Sequence, residues 1–321
     1  MRRVRYHAYG GPEVLRVEDA EVPEPGPGQV RIRASAIGAN FVDTKFRAGR
    51  GAIFQRPLPA TLTGDVVGTV DRVGQGTEPG LTGSRVAVLS LDAFADHVIA
   101  DATDLVLVPD SLDDAAASML PSAGPVALGT LLAGGVAPGS TVLVHAAAGN
   151  IGHLATQLAK LRGAGTVIGT AGSPAKLDFV RVHGADVAVD YGDDGWPDEV
   201  RAAAPGGVDV VLDAVGGKTT LHGVDLLAPF GRVVVYGAAD DLVDVPVRSL
   251  YELRSVSGFS MMAWQRARPA EFAAAISELT GLLADGRLRC TVHTRLPLAD
   301  AAEAHRLLDA RAQLGRILLV P

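Results

Sequence analysis

The sequence predicts an α/β chain in two parts, a mostly-β segment followed by a doubly wound parallel sheet. Three observations predict this fold class. Apolar and polar residues alternate in short runs over the first 120 residues, whereas six apolar runs recur every 20–25 residues from residue 141 onward. A glycine-rich turn follows the first of these runs. The chain has 321 residues, 48% of them hydrophobic, which is enough for two average domains.

Composition argues against several classes of protein. The net charge of −7 argues against a nucleic-acid partner, because such proteins carry a basic surface. The N-terminal arginines precede no apolar segment of the kind that a secretory signal needs, and no run approaches the ~18 apolar residues of a membrane helix. Cys290 is the only cysteine, which excludes an internal disulfide framework, and we expect a cytoplasmic location.

The first part of the chain predicts short strands. Residues 29–34, 69–74 and 84–89 have the alternating pattern of half-buried antiparallel strands. Residues 110–120 then predict a helix that begins with Ser111 as its N-cap.

The second part alternates strands and helices. Its apolar runs, one for each strand of a six-stranded dinucleotide-binding sheet, are centred on Leu143, Val167, Val187, Val211, Val234 and Val256. A helix at 272–283, a strand at 291–296, a helix at 301–312 and a strand at 316–320 follow. A completed sheet has no place for these late strands, so we expect them to return to the first part.

Residues 140–161 have the order of a phosphate-binding unit: an apolar run, a turn of small residues, and apolar side chains at helical spacing. Ala147, Gly149 and Gly152 occupy the three places of a G-x-G-x-x-G fingerprint. Unpaired N–H groups and the dipole at the start of such a helix favour a diphosphate. The alternative is a glycine-rich turn that only closes a strand–helix corner.

The end of the second strand of this part distinguishes NAD from NADP. An NAD site places an acidic residue ~20 residues after the glycines, where it bonds the ribose 2′-hydroxyl. Residues 169–176 contain no carboxylate, and Ser173 and Lys176 suit a 2′-phosphate, with a further hydroxyl from Tyr191. The sequence therefore favours NADPH. The alternative is an ordinary helix N-terminus, with Ser173 as its cap and Lys176 in solvent.

Several segments together resemble one family. They are HAAAGNIG, GTAGSPAK with Tyr191, and the stretches 40–43, 64–68, 231–237 and 296–321. They are similar to the zinc-independent quinone oxidoreductases of the medium-chain dehydrogenase/reductase superfamily, a group that includes the zeta-crystallins. The resemblance implies a GroES-like catalytic domain from residues 1–121 and 265–321, a Rossmann domain at 122–264, NADPH in the cleft between them, and a homodimer.

The resemblance also implies roles for single residues. Asn40 would reach the nicotinamide end of the cleft, which Lys45 also lines. The pyrophosphate would be held by Gly149, Asn150, Ile151 and Gly152, and the 2′-phosphate by Ser173, Lys176 and Tyr191. The nicotinamide ribose and carboxamide would be lined by Gly216, Tyr236, Gly237 and Ala238. No residue is identified as a catalytic acid, and a water is the expected proton donor.

Zinc-dependent relatives need a cysteine near position 40 and a His-Glu pair near Gly64. This chain has Ala39-Asn40 and Asp65-Val66 there, and its eight histidines show no metal-ligand spacing. We therefore predict no metal site, and we interpret His145 as a packed residue at a strand end. Without a Lewis acid, alcohol oxidation loses its usual activation, which favours hydride transfer to a quinone or an α,β-unsaturated carbonyl.

Two alternative functions stay open, namely reduction of an enoyl thioester of polyketide or fatty-acid type, and non-redox binding of NADPH. Relatives often carry tyrosine where Lys45 stands and a Leu-Thr pair where Pro125-Val126 stands. The valine lacks the hydroxyl that would contact the nicotinamide. These departures predict a substrate pocket unlike that of the best-known relatives.

A basic loop follows Asn40. Between residues 44 and 63 the chain has no acidic residue, but it carries Lys45, Arg47, Arg50 and Arg56, with two phenylalanines interleaved. One interpretation is a ring of cations that steers an anionic substrate toward the site. The other is a solvated loop whose cations meet only water.

Overall fold

The computed structural model describes residues 1–240 and 242–321, which form two compact units. The first combines Met1–Ser122 with Thr280–Pro321, and the second is Ala123–Leu279. Within the second unit, the Trp264 ring packs between Phe259 and Phe272, with centroids 5.9 and 5.3 Å away.

Antiparallel strands dominate the first unit. β1 (Arg2–Tyr6) and β2 (Leu15–Asp19) form a two-stranded sheet. The main sheet contains β3 (Gln29–Ala39), β4 (Gly64–Val73), β5 (Arg85–Ser90), β6 (His97–Asp101), β7 (Val106–Leu107), β14 (Val292–Pro297) and β15 (Arg316–Val320). Its order is β14-β15-β3-β4-β5-β7, with β6 paired to β3 off this path.

The late strands return to the first unit, which confirms the sequence prediction. β15 pairs antiparallel with β3, with Leu318 opposite Gly38, and parallel with β14. Apolar side chains from both ends of the chain, such as Ile37 and Ile317, share one buried core. This pairing brings the end of β3 beside the beginning of β15.

The helices of the first unit are α1 (Phe41–Ala48), α2 (Asp114–Ala117) and α10 (Ala301–Asp309). The sequence prediction for α2 was wrong in its cap and its length. Asp113, not Ser111, is the N-cap, because its carboxylate accepts a hydrogen bond from the Ala116 N–H at 2.8 Å. The helix spans only four residues.

The second unit is a parallel six-stranded sheet with the predicted strands. These are β8 (Thr141–Val144), β9 (Thr166–Ala171), β10 (Val187–Asp190), β11 (Val208–Asp213), β12 (Leu227–Val235) and β13 (Ser255–Gly258), in the order β10-β9-β8-β11-β12-β13. Its helices are α3 (Ala123–Gly134), α4 (Gly152–Leu161), α5 (Leu177–Val182), α6 (Trp196–Ala203), α7 (Gly217–Asp225), α8 (Met261–Ala267) and most of α9 (Pro269–Ala284), whose residues from Thr280 onward belong to the first unit. The strand order reverses between β8 and β11, which is where such sheets bind ligands.

A helix that spans a membrane must be both long and apolar. Among the residues with a described structure, no helix is both long enough and apolar enough to span a bilayer.

Candidate functional site

The predicted cofactor residues of the second unit follow the carboxyl ends of its strands. Residues 149–152 come after β8, residues 172–176 after β9, Tyr191 after β10, Gly216 after β11 and residues 236–238 after β12. The carboxyl ends of parallel strands lie at one edge of a sheet. The structure therefore collects these residues at one edge, around the place where the strand order reverses.

The turn between β8 and α4 is shaped for an anion. The Gly149 N–H donates to the Ala146 carbonyl at 2.9 Å, whereas the N–H groups of residues 150–152 form no hydrogen bond within the described chain. A Cβ at Gly152 would lie 2.2 Å from the Ala146 oxygen, so glycine is needed for α4 to begin this close to the turn. No side chain caps this ten-residue helix. Its first N–H groups are therefore available to a diphosphate.

His145, beside this turn, is a packing residue. Its ring is fully buried against Trp196, with 5.3 Å between ring centroids, and its Nδ1 lies 2.8 Å from the Thr170 hydroxyl. Burial lowers the pKa of His145 to about 4, so the ring is neutral near pH 7. His145 supports the end of β8 and brings no charge to the turn.

Ser173, Lys176 and Tyr191 lie at the ends of two paired strands, β9 and β10. The Tyr191 ring lies against Gly172, where a Cβ would be 3.3 Å from the phenolic oxygen. Ser173 precedes a short 3₁₀ turn that ends at Lys176, and its hydroxyl makes no capping hydrogen bond. Lys176 is half-buried and has a contact within the protein. The Ser173 cap of the alternative interpretation is therefore absent, whereas Lys176 is still partly exposed.

Asp213 organises the loop after β11, and sequence reasoning missed it. Its carboxylate is fully buried, and Oδ1 accepts hydrogen bonds from the N–H groups of Val215 and Gly216 at 2.7 and 3.1 Å. Oδ2 accepts from the Thr220 hydroxyl at 2.5 Å. Gly216 has a φ of 84°, a conformation that favours glycine. An aspartate at a strand end, three residues before a Gly-Gly pair, is the local signal that could have identified it.

Residues 236–238 adjoin the loop that Asp213 organises. The Tyr236 N–H donates to the Asp213 carbonyl at 2.9 Å, and a Cβ at Gly237 would lie 3.2 Å from the Ala214 carbonyl oxygen. Burial, together with the Asp213 charge, raises the pKa of the Tyr236 hydroxyl well above its usual range. Tyr236 therefore stays protonated and keeps a hydrogen-bond donor at this edge.

In the first unit, Asn40 lies between β3 and α1. Its Oδ1 accepts a hydrogen bond from Arg316 Nη1 at 2.9 Å, and its Nδ2 donates to Asp65 Oδ2 at 3.2 Å. Arg316 and Asp65 are both fully buried and pair at 2.5 Å. Sequence reasoning predicted Asn40 as a site residue but did not connect it with Arg316, which only the pairing of β15 with β3 brings near.

Asp43 joins α1 to the segment before β4. Its carboxylate oxygens accept hydrogen bonds from the N–H and the hydroxyl of Thr63, at 2.7 and 2.6 Å. Burial raises the pKa of Asp43 to about 7, against the opposing effect of these two hydrogen bonds. This contact holds the helix that follows Asn40.

Arg47 fits neither interpretation of the basic loop. It is 3% exposed, and its guanidinium donates to Asp309 at 2.7 Å and contacts His305 Nδ1 at 3.1 Å. Burial lowers the pKa of His305 to about 3, so this histidine accepts the bond as a neutral ring. Because α1 packs on α10, Arg47 is buried at this contact, although the neighbouring sequence suggests an exposed cation.

The other cations of the basic loop differ in exposure. Arg56 lies over the Phe46 ring, 3.6 Å from its centroid, and Lys45 Nζ lies 5.5 Å from the centroid of Phe54. Arg50 is exposed. The four cations therefore neither form one ring nor all lie in solvent, because one is buried and paired, two lie near aromatic rings and one is exposed.

The side chains around Asn40 do not suit zinc. Asn40 and Asp65, which stand where the sequence comparison expects ligands in zinc-dependent relatives, both accept hydrogen bonds from the Arg316 guanidinium. Within residues 1–240 and 242–321, no group of three histidine, cysteine or acidic side chains could hold a metal ion. Burial raises the pKa of Cys290 to about 12, which disfavours the thiolate that binds metals.

Two family models match the chain. Residues 26–110 match the alcohol dehydrogenase GroES-like domain, and residues 150–281 match the zinc-binding dehydrogenase family. The first match lies within the first unit, and nearly all of the second lies within the second unit.

Relatives match over the whole chain. A quinone oxidoreductase from Pseudomonas aeruginosa is 36% identical over 334 residues, covering 100% of this chain and 99% of that protein. A 2-haloacrylate reductase from a Burkholderia species is 35% identical over 335 residues, covering 98% and 97%. The crystal structure of Escherichia coli quinone oxidoreductase complexed with NADPH has a TM-score of 0.92 at 29% identity, covering 100% of both chains.

Proposed function

The chain belongs to the quinone oxidoreductase family of the medium-chain dehydrogenases/reductases, and on that premise we propose that it is an NADPH-dependent, zinc-independent reductase of quinones or α,β-unsaturated carbonyl compounds. One observation carries the proposal. The carboxyl edge of the sheet in the second unit combines free N–H groups at α4 with Ser173, Lys176 and Tyr191, and residues 169–176 contain no carboxylate that would repel a 2′-phosphate.

The residues of this edge fit NADPH, which supplies a hydride when it is bound. We assign the pyrophosphate to residues 149–152, and the 2′-phosphate to Ser173, Lys176 and Tyr191. Asn150 Oδ1 is buried without a partner among the described residues, so a cofactor hydroxyl that donates there would satisfy it. Gly216 and residues 236–238 are assigned to the nicotinamide end.

The surroundings of Asn40 support a conjugated acceptor. Reduction of a quinone takes up one hydride and one proton, and an enone takes the hydride on its β-carbon and the proton on its α-carbon. Such acceptors are electrophilic without a metal, which suits a site whose Asn40 and Asp65 are bonded to Arg316. Asn40 itself is half-buried.

We propose that water delivers the proton. Asp43 has a pKa of about 7, but it is fully buried and both its carboxylate oxygens are bonded to Thr63. A side chain held in this way does not reach a bound acceptor. Its role is structural.

One comparison favours a second acceptor class. The Burkholderia relative is named for 2-haloacrylate, an alkene conjugated to a carboxylate. We therefore include anionic conjugated alkenes among the acceptors, without the ring of cations that the burial of Arg47 contradicts. Reduction of an enoyl thioester, and NADPH binding without turnover, are the competing functions.

We further propose a cytoplasmic homodimer assembled through the second unit. β13 is the last strand of its sheet, so its outer edge has no partner strand within the described chain. A strand edge of this kind can pair with its copy in a second molecule. Light scattering during size-exclusion chromatography tests this assembly, and a monomer at micromolar concentration contradicts it.

The experiment that tests the function mixes the purified protein with NADPH or NADH and one acceptor at a time, following cofactor absorbance. The panel contains quinones, enones, 2-haloacrylate and enoyl thioesters, with saturated ketones as the control. We expect turnover with NADPH and conjugated acceptors, no stoichiometric zinc by metal analysis, and full activity after treatment with a chelator. Exclusive turnover of enoyl thioesters favours the first competing function. Tight NADPH binding with no turnover favours the second.

A further inference from the structure

Arg316 is a fully buried arginine at the start of β15. Its Nη1 donates to Asn40 Oδ1 at 2.9 Å, and its Nη2 donates to Asp65 Oδ2 at 2.5 Å and to the Ser118 carbonyl at 3.2 Å. A buried charge is retained only where its partners are well arranged, and here three segments of the first unit converge on one guanidinium.

This cluster leaves the Asn40 amide only one orientation. Oδ1 faces the guanidinium, and Nδ2 donates to Asp65 Oδ2 at 3.2 Å. The flipped amide would bring its NH₂ group against the guanidinium of Arg316 and its oxygen against the carboxylate, so both contacts would become repulsive. The second Nδ2 hydrogen has no partner among the described residues.

Gly38 provides the space for this arrangement. A Cβ at this position would lie 1.5 Å from Arg316 Nη2 and 2.0 Å from the central guanidinium carbon. Gly38 is two residues before Asn40 on β3, opposite Leu318 of β15. The sequence therefore carries a glycine where the guanidinium passes against the β3 backbone.

The cluster also differs from what the family name suggests. One family model is named for zinc-binding dehydrogenases. In this chain, however, Asn40 and Asp65 are hydrogen-bonded to the Arg316 guanidinium. A guanidinium cannot coordinate an electron pair of a substrate oxygen, as a metal ion does when it acts as a Lewis acid. It can orient a hydrogen-bond donor that does contact that oxygen.

We propose that Arg316 and Asp65 are positioning residues that fix the Asn40 amide so that its free N–H donates to the acceptor's carbonyl oxygen. This inference rests on the proposed reductase function. Negative charge grows on that oxygen as the acceptor is reduced, and a donor that is already oriented stabilises it without reorganisation. The bond from Arg316 to Asn40 Oδ1 also polarises the amide and strengthens it as a donor.

The main test replaces the buried pair by neutral side chains, in the variant Asp65→Leu/Arg316→Met. Removing both charges together avoids an unpaired buried ion, so the protein is expected to fold. With a quinone acceptor, kcat is expected to fall about ten- to hundredfold, because a misplaced group near the reacting atoms has effects of this size. Asn40→Ala is expected to lower kcat by a similar factor.

The coupling between these changes distinguishes positioning from support of the fold. If the pair acts through Asn40, its replacement in the Asn40→Ala background should lower kcat by less than about twofold. Thermal unfolding is measured on the same four proteins. Equal multiplicative losses of kcat in both backgrounds would overturn the positioning role.

A second variant tests the proposal even if the double variant Asp65→Leu/Arg316→Met does not fold. Gly38→Ala retains all charges but forces the end of the Arg316 side chain to move. We expect it to lower kcat with little change in NADPH affinity, and to have no further effect in the Asn40→Ala background. Full kcat in Gly38→Ala would overturn the proposal. Absence of wild-type turnover with every acceptor would instead overturn the reductase function, and this proposal with it.

Discussion

Two fully buried carboxylates, one in each unit, are held by different kinds of partner. Asp213 in the second unit accepts hydrogen bonds from groups two, three and seven residues ahead in the chain, all of them uncharged. Asp65 in the first unit is paired with Arg316, 251 residues away, and with Asn40, 25 residues away. Asp213 fixes a backbone loop, whereas Asp65 fixes a side-chain amide.

The difference shows how each part of the proposed site is made. The loop at Asp213 is complete once β11 and α7 have formed, because every donor lies within that strand, turn and helix. The amide of Asn40 is fixed only when the end of the chain has paired with β3. The cofactor edge is therefore a local structure, and the surroundings of Asn40 are a product of the whole first unit.

The largest expected effect comes from Asp213→Ala, which removes the carboxylate whose hydrogen-bond donors lie nearby in the chain. The change leaves two N–H groups and the Thr220 hydroxyl without an acceptor in a buried position. Each unsatisfied donor costs about 1–3 kcal/mol, so the free energy of unfolding should fall by roughly 3 kcal/mol or more. Urea unfolding measures this loss, and fluorescence titration should show weaker NADPH binding.

The matched control is Asp213→Asn. Its amide oxygen accepts from the same two N–H groups, and its NH₂ donates to the Thr220 hydroxyl, so the loop keeps its bonds. We expect the asparagine variant to lose less than half as much stability as the alanine variant. An alanine variant as stable as wild type would mean that the loop holds its shape without Asp213.

A third buried carboxylate, Asp43, makes a pH-dependent contribution. Its pKa rises from an ordinary 3.8 to about 7 on folding, so the folded state binds the proton more tightly. The resulting stabilisation is fully present below about pH 4 and is lost as the pH rises through 7. A shift of this size corresponds to up to about 4 kcal/mol.

The measurement compares wild type with Asp43→Asn by chemical unfolding from pH 4 to 8. The asparagine keeps the bonds to Thr63 but does not titrate, so wild type should lose stability relative to it as the pH rises. His145 and His305, whose pKa values are about 4 and 3, titrate in both proteins and cancel in the difference. Parallel stability curves would show that burial does not shift the Asp43 pKa.

The same contrast explains what the sequence could predict. Strands β8–β13 and the residues after them follow from apolar runs, glycines and turn residues within a few positions of one another. The partners of Arg47 are Asp309 and His305, about 260 residues away, and nothing within residues 44–63 indicates that this arginine is buried. A single sequence contains both residues of such a pair, but it does not show that they contact each other in the folded protein.

A smaller effect is expected at the cofactor edge from Lys176→Ala. If Lys176 contacts the 2′-phosphate, the change removes one charge-assisted contact, worth roughly 1.5–3 kcal/mol. NADPH affinity should then fall by about one to two decades, whereas NADH affinity should change less than threefold. Titration with both cofactors checks this prediction, and Ser173→Ala should show the same selectivity with a smaller loss. Equal weakening of both cofactors would place Lys176 away from the phosphate.

The smallest effect is expected from Arg50→Ala in the basic loop. Arg50 is exposed, so its loss should change the free energy of unfolding by no more than about 0.5 kcal/mol. Because Arg47 is buried and Arg56 lies over Phe46, Arg50 acts as a single exposed charge, and one charge steers weakly. We expect kcat/KM for 2-haloacrylate to fall less than twofold, and kcat/KM for a neutral quinone to stay unchanged, at low and at high ionic strength. Arg16→Ala, which removes an exposed charge from β2, is the control for net charge. A larger loss that appears only with the anionic acceptor, only in Arg50→Ala and only at low salt would restore a steering role to this loop.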